Sequence, residues 1–125
     1  MTLNFADEKP IYLQIAEEIE DAILSGAFEE DGQIPSTTEI SVNYKINPAT
    51  ALKGINLLVE SEIVYKKRGL GMFVSVGAKE HILQKRKQEF YENFVISLLS
   101  EAAKLNMTKD EILDMIERGI EHEQH

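Results

Sequence analysis

The chain has no cysteine. Disulfides, thiolate zinc sites and a cysteine nucleophile are therefore excluded. It also lacks any run of about 18 apolar residues, so no segment is expected to span a membrane. Its opening, "MTLNFADEKP", has neither the basic start nor the apolar core of a signal peptide, and a cytoplasmic location is expected. No repeat or low-complexity stretch is visible. Basic residues are scarce: 13 Lys and Arg stand against 22 Asp and Glu, a net charge of -9. What is present is ordinary. A hydrophobic share of 43% with 28% charged residues over 125 positions suits one compact domain with a smaller appendage.

The few cations are not spread evenly. Residues 1–32 hold one Lys and nine acids, and residues 78–125 hold seven bases and ten acids. Only residues 33–77 are positive, with five bases against three acids for a net +2. A local excess of this kind can neutralise phosphates whatever the total charge.

Periodicity gives the elements. From Pro10 to Ser25, Tyr12, Ile15, Ile19, Ala22 and Ile23 share one helical face, with the carboxylates of "EEIED" read as a solvated face. After a turn at "EEDGQIP", Ser36 and Glu39 have capping-box spacing and start a short helix carrying Ile40 and Val42. Asn47-Pro48 opens a third helix, to about Val59. There Ala51, Leu52, Ile55, Leu58 and Val59 are expected inside, with Ala49, Thr50, Lys53 and Asn56 outside. Gly54, mid-helix, points to close approach by a neighbouring helix. "EIVYKK" and "MFVSV" read as two strands joined at Arg68-Gly69-Leu70-Gly71. Beyond Glu80 come two helical segments. The first carries the stripe Leu83, Phe90, Phe94 and Leu98; the second opens on a capping box at Thr108 and Glu111.

Helix, helix, turn, helix and hairpin in this order make a winged helix-turn-helix: mainly α, with a small β-hairpin wing. Thr50 and Lys53 then face DNA, and Lys66, Lys67 and Arg68 cluster at the wing, whose glycines allow close approach to a phosphate backbone. Enzyme chemistry finds no footing. His81, His122 and His125 neighbour no recognisable catalytic partner, and the His122/His125 spacing reads as a polar terminus rather than a metal site. "RGLG" lacks the strand–loop–helix setting of a phosphate-binding loop. No cofactor is expected.

Residues 10–76 resemble the DNA-binding domain of the GntR family of bacterial transcription regulators. The likeness is carried by "PIYLQIAEEIEDAILSG", "DGQIPSTTEIS", "INPATALKGINLLVESEIV" and "KKRGLGMFV". The Asn-Pro opening, with only about fifty residues after the wing, is similar to the YtrA subfamily. The resemblance implies a DNA-binding domain over 1–77 and a two-helix dimerisation region over 78–125. It further implies a homodimeric repressor on an inverted-repeat operator, with a recognition helix at about 48–59 and a wing at about 66–71. The implied contacts are Ser36, Thr37, Thr38, Asn47, Pro48, Ala49, Thr50 and Lys53, then Lys67, Arg68, Gly69, Leu70 and Gly71 in the wing. Leu83, Phe90, Phe94 and Leu98 are implied in dimerisation. Thr38 stands where an Arg is usual, Leu70 where a basic residue is common, and Gly54 where Ala is common. Ser61-Glu62 replaces the usual Glu-Gly, so the third helix is expected to lose its left-handed cap. Usual docking with altered base preference follows. A small-molecule effector stays open, and the alternative function is a protein-interaction module without sequence-specific DNA binding.

Overall fold

The computed structural model describes residues 3–123 and is mainly helical, with one two-stranded antiparallel hairpin. Helix α1 (Ile11–Leu24) follows Pro10, whose fixed φ suits a helix entrance. It is closed by Gly26 at a left-handed φ of 87°. Helix α2 (Thr37–Tyr44) opens on the expected capping box: the Ser36 hydroxyl accepts from the Glu39 N–H at 3.0 Å, and Glu39 accepts from the Ser36 N–H at 3.2 Å. Helix α3 (Pro48–Glu60) begins with Asn47 as N-cap, its side chain accepting from the Ala49 N–H at 2.8 Å, and with Pro48 at the first helical position.

Ile15, Ile19 and Ile23 of α1 meet Ile40 of α2 and Ala51, Ile55 and Leu58 of α3 in an aliphatic core. Gly54 lets α1 and α3 approach closely, since a Cβ there would lie 2.8 Å from the Tyr12 carbonyl oxygen. Leu57 packs half-buried against this core. The expected inner face is too wide, however. Leu52 is 47% and Val59 38% exposed, because α1 and α2 together cover only the stripe of α3 through residues 51, 54, 55 and 58. Val42 of α2 is also exposed.

The carboxylates of α1 do not all face solvent. Glu20 is 1% exposed, and Lys85 reaches its carboxylate at 2.6 Å. A partner 65 positions away supplies the charge that makes such burial tolerable. The cap of α3 is not lost either. Glu62 takes φ 60°, donating its N–H to the Val59 carbonyl at 3.0 Å, while the Ile63 N–H reaches the Leu58 carbonyl at 2.9 Å. This is a complete Schellman motif, with Ile63 and Leu58 both fully buried. Backbone geometry demands the left-handed residue, and glutamate supplies it at a steric cost.

Strands β1 (Val64–Lys67) and β2 (Gly71–Val74) pair in register from Val64 opposite Val74 to Lys67 opposite Gly71. Residues 31–34 run along the other side of β2: the Ile34 N–H bonds the Met72 carbonyl and the Val74 N–H bonds the Gly32 carbonyl, each at 2.9 Å. Helix α4 (Ala78–Phe90) begins by burying Ala78 and Ile82 in the same core.

The chain forms two compact units that divide between Lys85 and Arg86. In the second, α4 continues through a π-helical turn (Tyr91–Val95) into α5 (Ile96–Lys104), and α6 (Lys109–Glu123) follows. Asn106, at φ 56°, closes α5, and the expected Thr108/Glu111 capping box opens α6 with bonds of 3.0 and 3.2 Å. Among the described residues of this unit Ala102 alone is buried. No helix among the described residues is long and apolar enough to cross a membrane.

Candidate nucleic-acid interface

The α2–α3 turn sets the entrance of α3. Lys45, at φ 54°, ends α2, and the Ser41 hydroxyl donates to the Ile46 carbonyl at 2.7 Å, fixing the chain just before Asn47. Pro48, Ala49, Lys53 and Asn56 are exposed along the outer side of α3, and Thr50 is half-buried. Lys53 does not extend into open solvent. Its ammonium lies 4.0 Å from the centroid of the Tyr12 ring, a cation–π contact that ties the cation to α1. At the start of α2, Ser36 and Thr37 are half-buried and Thr38 is exposed. The Ser36 oxygen is engaged in the cap, which leaves its O–H as the group able to reach outward.

At the wing, Gly69 (φ 78°) and Gly71 (φ 123°) adopt backbone conformations that side-chain-bearing residues rarely accept. The Leu70 N–H closes the turn on the Lys67 carbonyl at 2.9 Å. Gln33 then locks it, donating from Nε2 to the Leu70 carbonyl at 2.8 Å; a Cβ on Gly71 would fall 2.6 Å from that nitrogen. Leu70 is left 66% exposed at the tip. Lys66 and Arg68 are exposed beside it, whereas the Lys67 ammonium sits 4.5 Å from the Phe73 ring centroid, over the hairpin face. Tyr65, paired across from Phe73, donates to Asp31 Oδ1 at 2.7 Å. That bond, with some burial and the charge of Asp31, raises the phenol above its ordinary pKa. Tyr44 is likewise raised, by burial first and then by the Glu18 carboxylate it meets at 3.4 Å.

The first unit thus carries the expected residues of α2, α3 and the wing. Leu83 of α4 is 43% exposed, and in the second unit Phe90, Phe94 and Leu98 are 59%, 65% and 42% exposed, with the two phenyl rings 5.5 Å apart. His81 and His122 are exposed, and His125 lies outside the described residues. No group of metal-ligating side chains occurs among the described residues. Sequence patterns did not single out Gln33 or Asp31, and gave Tyr12 only as part of the apolar face of the first helix. Each acts on a residue far along the chain, and no local spacing marks that contact.

Residues 11–74 match the family model described as bacterial regulatory proteins, gntR family. The chain is 30% identical over 118 residues to the HTH-type transcriptional regulator YhcF of Bacillus subtilis, covering 93% of this chain and 94% of that protein. Among solved structures it is similar to a GntR-family transcriptional regulator from Bacteroides thetaiotaomicron, with 39% identity, TM-score 0.74, and coverage of 90% of this chain and 98% of the other. It is also similar to the AraR DNA-binding domain in complex with operator ORX1, at 30% identity and TM-score 0.54, over 60% of this chain and 93% of that one. These relatives are transcription regulators, not enzymes. Winged-helix unit and sequence agree: the chain belongs to the GntR family of bacterial transcription regulators.

Proposed function

We propose that the protein is a sequence-specific, homodimeric repressor of the YtrA type that binds an inverted-repeat operator. The observation that carries this is the placement of charge: in a chain of net -9, the one positive segment, residues 33–77, holds α2, α3 and the wing, with Lys53 on α3 and Lys66, Lys67 and Arg68 at the wing. The N-terminal half of α3, with Ala49, Thr50 and Lys53, would enter the major groove, and Ser36, Thr37 and Thr38 would flank it. Lys66, Arg68 and the wing glycines would meet the backbone beside it, with Lys67 swinging off Phe73 to join them. The DNA-binding domain, expected over residues 1–77, would extend through Lys85, since Ala78 and Ile82 complete its core, and the dimerisation region would follow from Arg86. Support for a dimer comes from surface that the second unit does not cover: eleven large apolar residues, from Phe90 to Ile120, are exposed there. Apolar surface on that scale marks an interaction site, and a second copy would bury it symmetrically. Two α3 helices and two wings would then act on one duplex. Repression needs nothing more than occupancy of a promoter by such a dimer. The Asn47-Pro48 opening of α3 supports the YtrA assignment.

The test is selection of genomic duplex fragments by the full chain, then anisotropy on the best fragment across a salt series. An inverted repeat bound at nanomolar level, with affinity falling steeply with salt, is expected. Absence of any enriched sequence, with the protein folded and dimeric, would refute the proposal in favour of a protein-interaction module.

A further inference from the structure

The exposure of Leu52 calls for a physical account. It is a large aliphatic side chain, 47% exposed, on the second turn of the helix whose start is expected to meet base edges. At about 100° per residue, Ala49, Leu52 and Asn56 lie on one stripe along α3, on the flank away from Gly54. Gly54 abuts α1 through Tyr12. Lys53 leans the same way, its ammonium over the Tyr12 ring. The Lys53 ammonium is thus drawn toward α1, while Ala49 and Leu52 share a shallow recess on the outer face of α3 with Lys53, Asn56, Leu57 and Glu60.

An apolar stripe fits only one feature of the major groove. Of the groups displayed there, the C5-methyl of thymine is the apolar one; the rest are hydrogen-bond donors and acceptors. We infer that Leu52, with Ala49, packs on a thymine methyl in each operator half-site, making Leu52 a specificity-determining residue that reads thymine by contact. Asn56, one turn further along the stripe, has the amide that suits the N6/N7 edge of a neighbouring adenine. This inference rests on the regulator reading above and names part of the sequence that the site selects.

The experiment uses the full chain and a random duplex pool. From the enriched consensus, each thymine is replaced in turn by deoxyuridine, which removes only the methyl. One position per half-site should lose about fourfold in affinity, the worth of one buried carbon at about 0.8 kcal/mol. Leu52→Ala should bind the thymine and uracil duplexes equally, and because Leu52 is half-exposed the variant is expected to fold. The uracil series on the unaltered protein stands even if that variant does not. If no duplex is enriched, the regulator reading and this inference fall together. If a duplex is enriched and every uracil substitution is neutral, the regulator stands and the inference falls. A uracil penalty that persists undiminished in Leu52→Ala assigns the methyl to another side chain and also overturns it.

Discussion

Replacing Glu62 by glycine is expected to stabilise the protein. Glu62 sits at φ 60° as the left-handed residue of the α3 cap, with both Schellman hydrogen bonds formed around it. A side-chain-bearing residue pays about 1–2 kcal/mol for that conformation. Glycine removes the strain but gives back about 0.4–1 kcal/mol, because the unfolded chain gains freedom. Loss of an exposed carboxylate beside the negative end of the helix adds about 0.3 kcal/mol. The net gain is about 1 kcal/mol, or several degrees in Tm for a unit of this size. Urea unfolding followed by circular dichroism, read at constant m, measures it. Glu62→Ala is the control: it removes the charge and keeps the strain, so it should recover only the small electrostatic part. A glycine variant no more stable than wild type, or equal to the alanine variant, would show that strain at this cap is not what limits stability.

Gly54→Ala should destabilise by about 1–2 kcal/mol despite alanine's better helix propensity, because its Cβ must push α1 and α3 apart; chemical unfolding checks this. Lys53→Ala should weaken specific DNA binding by about 1–3 kcal/mol in anisotropy titrations, with stability falling by no more than the exposed cation–π contact contributes, about 0.5–1 kcal/mol. Cutting the chain after Lys85 should leave a folded monomer in sedimentation with weak operator affinity, whereas a cut after Gly77 removes Ile82 from the core and should cost about 2–5 kcal/mol. Tyr44 and Tyr65 are both raised in the folded state, so their contribution is complete below the ordinary phenol value of 10.0 and is lost as pH climbs above it. The double Tyr→Phe variant should show a flatter fall in stability over that alkaline range.

Much of the winged-helix unit was legible because its signals are local. Capping boxes at Ser36/Glu39 and Thr108/Glu111, the Asn47-Pro48 entrance and the glycines of the wing each work within four residues of chain. The features that escaped reading depend on distance. Glu20 resembles its solvated neighbours until Lys85 is placed beside it, and Gln33 resembles any loop amide until it is found on Leu70, 37 positions away. Leu52 and Val59 escaped for a different reason. Hydrophobicity marks which residues can be buried, while the width of the facing surface decides which are. At the α3 cap the residue type suggested one outcome and the backbone imposed another, since Ile63 must still reach the core beside Leu58.

The π-helical turn at Tyr91–Val95 bears on how the tail tolerates changes in length. A turn of this kind fits one more residue than an α-turn over the same rotation, so it behaves as an insertion absorbed in place. Deleting one residue from it should leave an unbroken α-helix in which Leu98 still points where it does now relative to Phe90. Forcing the same residues into α-helix without a deletion would instead swing everything beyond Val95 about 100° around the axis. Shortening by one residue is thus the conservative change at this site, and straightening at full length is the disruptive one.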